Sequence, residues 1–166
     1  ISREFGSGGR FIGEQIAQKC GIEFYDKKII EHVAKELGIS EQIVANQGEY
    51  APAGSIFSYA FVGRDITGVS LSDQIFNIQQ KLIKDIAQKE PCVIVGRCAD
   101  YILSDRDDVL NVFIHGDMPK KVQRICKLYN VAEADAAKMI TETDKRRRTN
   151  YNFYTDQKLS LIHISE

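Results

Sequence analysis

Apolar residues recur every three or four positions along several stretches of the chain. Residues 11–20, 27–37, 71–89 and 118–130 show this spacing most clearly, and it is typical of helices that pack on a core through one face. The segment 132–154 predicts a further helix, whose composition changes from polar at its start to strongly basic near its end. The chain is therefore predicted to be rich in amphipathic helices.

Short, continuous apolar runs alternate with these helices. Residues 22–26, 91–97 and 109–117 have this character, and the first few residues of the chain are also strand-like. Unbroken apolar strands are typical of parallel sheets that are buried on both faces. The alternation of strands and helices predicts an α/β domain with a mostly parallel sheet.

Polar or glycine-rich residues follow each predicted strand. The segment Gly6–Arg10 follows the first strand, and Asp26 follows the second. The pairs Gly96–Arg97 and Gly116–Asp117 follow the third and fourth strands. Ligands of open α/β sheets bind outside the carboxyl ends of the strands. The sequence therefore predicts one shared ligand site at this edge of the sheet.

The segment Gly6–Arg10 lies between a strand and a helix, as a phosphate-binding loop does. It departs from the usual pattern G-x-x-x-x-G-K-[ST], because Arg10 takes the place of the lysine, Glu4 that of the first glycine and Phe11 that of the hydroxyl residue. Its glycines still allow backbone N–H groups to point at an anion, and the helix N-terminus adds about half a positive charge. A modified phosphate loop is predicted, and a glycine-rich turn without a ligand is the alternative.

Composition narrows the class of protein. With 166 residues, of which 43% are apolar, the chain is predicted to form a single soluble domain. A net charge of -1 argues against a nucleic-acid partner or a membrane surface, and no apolar run approaches the ~18 residues of a membrane span. The four cysteines lie in apolar segments without a C-x-x-C pair, which predicts reduced, buried thiols that hold no metal, and a cytoplasmic location.

Four segments together resemble the cytidylate kinase-like family, a branch of the P-loop nucleoside monophosphate kinases. They are "ISREFGSGGRFIGEQIA", "EFYDKKIIEHVAKELGIS", "CVIVGRCADYIL" and "VFIHGDMPKKVQRI…DKRRRTNYNFYT", in this order along residues 1–158. The resemblance implies a three-layer α/β/α fold with a parallel sheet, a monophosphate-binding insertion at about 26–70 and a helical lid at about 140–156. It also implies a kinase that moves a phosphoryl group from ATP, with Mg²⁺, to a nucleoside monophosphate, and CMP or dCMP is the expected acceptor.

The resemblance assigns the donor side of the site to the glycine loop. The phosphates of ATP are expected on five residues: Gly6, Ser7, Gly8, Gly9 and Arg10. The ligands of Mg²⁺ stay open, because Phe11 replaces the usual hydroxyl residue and either Ser7 or Ser2 would have to compensate.

Asp26, Arg97 and Asp100 are the acceptor-side residues that the resemblance implies. In the family, a Ser or Thr and a Gly follow the aspartate, whereas Lys27–Lys28 follow Asp26 here. Arg97 matches the arginine of a G-R-D strand end, and Cys98 stands in the place of that aspartate. Asp100, two residues further on, is predicted to substitute for it. These departures leave the acceptor base open.

The basic run at 144–150 falls where the family keeps its lid. Phosphoryl transfer needs aligned reactants and neutralised charge, and the candidates for this work are Lys145, Arg146, Arg147 and Arg148. Successive helical residues point about 100° apart, so only some of them can face the site. Arg146 with either Arg147 or Arg148 is expected to do so, and a solvated basic helix end is the alternative.

Other positions carry weaker predictions. His115 is expected to be a core histidine, and Asp117 either a helix N-cap or a nucleotide contact. Arg64 and Asp65 either touch the acceptor or lie in a surface turn. The tail 159–166 is expected to be foreign to the native protein, with both ends of the domain truncated.

Two other function classes compete with the kinase. A nucleotide-binding regulatory domain with altered catalysis is suggested by Arg10 and Phe11 in the loop. A nucleic-acid contact through the basic helix is suggested by the run at 144–150, and the near-zero net charge argues against it. The oligomeric state stays open.

Overall fold

The computed structural model describes residues 1–48 and 69–159, with the side chains of 1–45 and 69–159. This part of the chain is a mixed α/β structure that is mostly helical. Its strands are β1 (Ser2–Arg3), β2 (Glu23–Tyr25), β3 (Cys92–Ile94) and β4 (Phe113–Ile114). Its helices are α1 (Gly9–Cys20), α2 (Lys27–Leu37), α3 (Glu41–Gly48), α4 (Leu71–Lys89), α5 (Ala99–Ile102), α6 (Met118–Tyr129) and α7 (Glu133–Thr155).

The strands pair in parallel. β1 pairs with β4, and β2 pairs with β3. The nitrogen of Ile1 donates to the oxygen of Ile94 at 2.7 Å, and the nitrogen of Gly96 donates to the oxygen of Ile1 at 2.9 Å. These bonds place β1 beside β3, so the strands follow the order β2–β3–β1–β4. The predicted parallel α/β arrangement is confirmed for the described residues, and the three-layer P-loop assignment and the lid stay predictions.

Three apolar clusters hold the elements together. Val93 and Val95 of the β3 segment pack with Ala17 of α1. Ile94 between them points to the opposite face and belongs to the largest cluster, which includes residues of α2, α3, α4 and α5. The third cluster joins α6 to α7, and Phe5 packs against it. The segment after β1 is therefore anchored to the α6–α7 pair.

Two predictions about polar positions are wrong. The four cysteines are free thiols, as expected, but only Cys98 is buried, and Cys20 is exposed because it is the last residue of α1. His115 is exposed rather than in the core, since β4 ends one residue earlier, at Ile114.

Some predictions fall on other parts of the chain. Residues 49–68, which make up much of the predicted monophosphate-binding insertion and include Arg64 and Asp65, lie outside the described residues, as do residues 160–166. Within the described ranges, none of the helices combines the length and the apolar character needed to cross a bilayer.

Candidate phosphate-binding site

The glycine loop turns from β1 into α1 through two glycines in the left-handed region. Gly6 has a φ of 80° and Gly8 a φ of 88°, which L-residues with side chains rarely adopt. Helix α6 lies directly behind the loop. A Cβ on Gly6 would fall 3.1 Å from the Cβ of Lys121, and one on Gly8 would fall 3.1 Å from the guanidinium of Arg124. The loop is thus restricted to glycine at both positions, and its shape is compatible with a phosphate-binding nest.

A buried lysine ties this loop to α6 and α7. Lys121 is 5% exposed, and its Nζ lies 2.9 Å from Oε2 of Glu4 and 3.6 Å from Oδ2 of Asp144. The carboxylate of Asp144 also accepts the N–H of Phe5 at 2.6 Å. Glu4 accepts the N–H of Gly116 at 3.2 Å. The network therefore holds the backbone at Phe5, where β1 passes into the loop, and at Gly116, just after β4.

The ionisation of Glu4 reflects this network. Burial by itself raises the pKa of Glu4, but the hydrogen bonds from Lys121 and from the N–H of Gly116 lower it by more. The net pKa therefore lies below its ordinary value, and the carboxylate beneath the loop stays charged at neutral pH.

Arg10 and Asp26 form an ion pair. The Nε of Arg10 lies 2.9 Å from Oδ2 of Asp26, and the two side chains are 55% and 12% exposed. Asp26 occupies the N-cap position of α2, but its side chain makes no capping hydrogen bond. The structure thus joins a predicted donor-side residue to a predicted acceptor-side residue, across the start of α1 and the start of α2.

The segment after β3 is a left-handed turn that includes two residues other than glycine. Gly96, Arg97 and Cys98 have φ values of 73°, 61° and 55°. The N–H of Ala99 donates to the oxygen of Gly96 at 3.2 Å, as in a type I′ turn. A residue other than glycine costs about 1–3 kcal/mol when its backbone adopts this left-handed conformation, and it persists there where the surrounding structure holds it. Arg97 and Cys98 are 5% and 7% exposed, so the packing of their buried side chains holds this turn. The side chain of Cys98 belongs to the largest apolar cluster.

Two clefts share Arg3 and Arg147 in their lining, and no residue of the loop Gly6–Arg10 lines either of them. The inner cleft, of about 30 Å³, includes Arg3, Arg97 and Arg147 in its lining. The outer cleft, of about 240 Å³, includes Arg3, Arg147, Arg148 and the exposed His115. Both present positive charge near the carboxyl ends of strands, and guanidinium groups are suited to binding phosphate oxygens.

Helix α7 contributes two of its three consecutive arginines to these clefts. Arg147 is half-buried, donates to the backbone oxygen of Arg3 at 3.4 Å and lies 5.7 Å from the ring centroid of Phe5. Arg148 lines the outer cleft. Arg146 is exposed and lines neither cleft, because it projects from a different side of the helix. The structure therefore brings Arg147 and Arg148, rather than Arg146, to this place.

Asp100 lies apart from the arginine clefts. Its Oδ2 accepts the hydroxyl of Tyr151 at 2.9 Å, and it lines a separate cleft of about 690 Å³ that is also bounded by the segment 106–112. Burial and the nearby charge of Asp100 raise the pKa of Tyr151, so this hydroxyl stays protonated and remains a donor. Since Tyr151 lines the inner cleft, it connects Asp100 to the site indirectly.

The structure adds three cations that the sequence patterns did not single out. They are Arg3, which lines both clefts, Lys121 beneath the loop, and Arg124 against Gly8. The only sequence features that would have pointed to them are the position of Arg3 just before the loop and the three-residue spacing of the other two on α6.

Comparisons with known proteins identify the family that the chain resembles. The model of the cytidylate kinase-like family matches residues 1–163. A solved structure of an uncharacterized protein from Eubacterium ventriosum ATCC 27560 is similar, with 31% sequence identity and a TM-score of 0.70, over 95% of this chain and 77% of that chain. No curated protein matches the chain. On the family match, this chain belongs to the cytidylate kinase-like family.

Proposed function

We propose that the protein transfers the γ-phosphoryl group of ATP to a nucleoside monophosphate, with CMP or dCMP as the expected acceptor. The observation that carries the proposal is the glycine loop at the start of α1, with its positive φ at Gly6 and Gly8. Arg3, which packs against Gly9, links this loop to two arginine-lined clefts. Family membership supports a nucleotide kinase, and the arginines that line the two clefts supply positive charge suited to phosphate groups.

The proposed reaction needs alignment and charge neutralisation more than it needs acid–base chemistry. The bond between the γ-phosphorus and the β–γ bridging oxygen breaks, and an acceptor phosphate oxygen bonds to that phosphorus. ADP leaves with the bridging oxygen. Backbone N–H groups of the loop and the N-terminus of α1 would hold the donor phosphates. Arg97, Arg147 and Arg148 would neutralise the charge that spreads over the transferred group.

Magnesium fits this site only if the nucleotide supplies most of its ligands. Within residues 1–45 and 69–159, no three His, Cys, Asp or Glu side chains are grouped to hold a metal ion. Mg²⁺ usually keeps several waters and takes few protein ligands in such sites. The hydroxyl of Ser7, which donates to the backbone oxygen of Glu4 at 2.8 Å, is the loop oxygen we assign to the ion. When bound with ATP, Mg²⁺ would withdraw charge from the β- and γ-phosphates.

The acceptor is proposed to lie on the side of Arg97. This guanidinium is buried in the turn after β3 and lines the inner cleft, so it would meet the acceptor phosphate rather than its base. The ion pair between Arg10 and Asp26 lies at the predicted start of the acceptor region. We expect an arriving nucleotide to compete with Asp26 for the half-exposed guanidinium of Arg10.

The test is an assay of product formation with each acceptor. The protein is incubated with ATP, Mg²⁺ and one of CMP, dCMP, UMP, AMP or GMP, and diphosphates are separated by ion exchange. Diphosphate formation is expected with CMP or dCMP. Arg148→Ala is expected to lower kcat, whereas Lys138→Ala, which removes an exposed charge from the same helix, should leave it unchanged. Folded protein that makes no diphosphate with any acceptor refutes the proposal.

A regulatory domain is the second candidate, and one observation favours it. Phe11, which stands where the loop hydroxyl is expected, is 60% exposed and offers no ligand to magnesium. ATP binding in calorimetry, without transfer to any monophosphate, would support this candidate over the kinase.

A further inference from the structure

Asp144 is a buried carboxylate at the centre of α7, directly before the basic run. Its residue exposure is 8%. The apolar contacts of α7 come before it, at Ala136 and Ile140, and resume after it, at Tyr151. In the described stretch 141–149, Asp144 is the one buried position. The buried contact of the part of α7 that carries the arginines is therefore made by a carboxylate rather than by an apolar side chain.

The carboxylate of Asp144 joins α7 to the entry of the glycine loop. Its Oδ1 accepts the N–H of Phe5, the residue before Gly6, at 2.6 Å. Its Oδ2 lies 3.6 Å from Nζ of Lys121, which also pairs with Glu4 at 2.9 Å. A charge-assisted hydrogen bond from a short side chain to the backbone fixes both the distance and the rotation of α7 relative to the loop.

Asp144 and the two cleft arginines of α7 share one face of that helix. Residues three and four positions apart are neighbours on a helix surface, so Arg147 and Arg148 follow Asp144 on the same side. All three residues line the outer cleft. Arg146, two positions after Asp144, is exposed and lines neither cleft. The rotation of α7 that the bond to Phe5 requires is therefore the rotation that turns Arg148 towards the cleft.

We infer that Asp144 is a positioning residue, which holds α7 at the rotation that places Arg148 against the phosphate groups of the substrates. The inference rests on the proposed function. Arg148 is exposed, so the helix beneath it has to supply its alignment, and a displacement of about 1 Å can cost about a hundredfold in rate. Because Asp144 is already engaged by Phe5 and Lys121, it is assigned no contact with the reacting groups.

The first test is a double-mutant cycle in the transfer assay. Asp144→Ala removes the acceptor of the Phe5 N–H and is expected to lower kcat by about tenfold or more. In the background of Arg148→Ala, the same change should lower kcat by less than about threefold, because the arginine that Asp144 positions is already gone. A residue that serves only stability would lower kcat by the same factor in both backgrounds.

Two further variants show how Asp144 acts. Asp144→Asn keeps the length of the side chain and an oxygen that accepts the N–H of Phe5, so it should recover most of the kcat that Asp144→Ala loses. Glu142→Ala removes an exposed carboxylate from the same helix and should match the wild type. Urea denaturation of each variant ensures that folded proteins are compared.

Three results of the transfer assay overturn the inference. One is a folded Asp144→Ala protein with the kcat of the wild type. Another is an equal loss of kcat in the two backgrounds of the cycle. The third is an Asp144→Asn protein as slow as Asp144→Ala, which would assign the effect to the charge of the carboxylate rather than to its bond with Phe5.

Arginine labelling covers the case in which Asp144→Ala does not fold. The wild type is treated with phenylglyoxal, with and without inorganic tripolyphosphate, and its peptides are mapped by mass spectrometry. Protection of Arg148 but not of Arg146 is expected, and the protection should be lost in Asp144→Glu, whose longer side chain shifts α7 away from the loop. Equal protection of the two arginines, protection of neither, or full protection of Arg148 in Asp144→Glu overturns the inference.

The labelling also separates this inference from the proposed function. If the wild type transfers phosphate to no monophosphate, the proposed function fails. Protection of Arg148 by tripolyphosphate in the wild type, and its loss in Asp144→Glu, still decide whether Asp144 orients α7 at a phosphate site.

Discussion

Replacing Lys121 by methionine tests whether the network beneath the loop stabilises the fold. Methionine keeps the length of the side chain but removes its charge, so two carboxylates lose their shared cation. The side chains of Lys121, Glu4 and Asp144 are 7%, 28% and 10% exposed. Breaking a buried ion pair of this kind costs about 3–5 kcal/mol.

The magnitude expected here is smaller than that range. Glu4 is partly exposed to water, and each carboxylate keeps a backbone donor, from Gly116 in one case and Phe5 in the other. We therefore expect Lys121→Met to lower the free energy of unfolding by about 2–3 kcal/mol, which corresponds to a fall in Tm of about 5–10 °C for a chain of this size.

Urea denaturation followed by circular dichroism measures this change. Lys120→Met is the matched control, because Lys120 is the preceding residue on α6 and its side chain is 83% exposed, so its loss should cost less than about 0.5 kcal/mol. The double variant Lys121→Met with Glu4→Gln should lose less unfolding free energy than the two single variants lose together, because it no longer contains one of the two carboxylates that Lys121 neutralised. Equal stability of the Lys121 and Lys120 variants, or strict additivity in the double variant, would refute the reasoning.

Three further predictions concern residues around the site. The pKa of Glu4 in the folded state lies below its ordinary value, so ionised Glu4 stabilises the fold at pH values above that ordinary pKa, and this stabilisation is lost on acidification. The Tm of the wild type should therefore fall more steeply than the Tm of Glu4→Gln between about pH 5 and pH 3. Parallel curves of Tm against pH would contradict this. Tyr151→Phe should lower the free energy of unfolding by about 1.5–3 kcal/mol, because Asp100 loses a donor at 2.9 Å; unchanged urea midpoints would count against it. Gly9→Ala should cost about 1–3 kcal/mol, since the new Cβ would lie 2.6 Å from the Cβ of Arg3; a stabilised variant, as helix propensity alone predicts, would show that Arg3 moves aside freely.

Local patterns predicted the elements well because each depends on neighbours in sequence. The helices α1, α2, α4 and α6 follow from apolar spacing. Gly21 and Gly38 end α1 and α2 with φ values of 65° and 66°, a backbone conformation that glycine adopts without strain. The same patterns placed the glycine loop between a strand and a helix, and the carboxyl ends of parallel strands at one edge.

Pairings between distant side chains were not predictable in this way. The sequence placed Arg10 at the lysine position of the loop, but only the folded chain brings it to Asp26. It singled out 146–148 as a block, but the rotation of α7 decides that Arg147 and Arg148 line the clefts.

Amino-acid order by itself therefore determined the elements, the parallel α/β class and a resemblance that the family match confirms. The tertiary structure decided which cations converge beside the loop. Arg3, in a two-residue strand, shows why. Its surroundings are Gly9 at the start of α1 and Gly96 after β3, and contacts across such separations arise only when strands pair and helices pack. Tertiary packing decides which charged side chains come together at the site, and the spacing of residues along the sequence does not predict it.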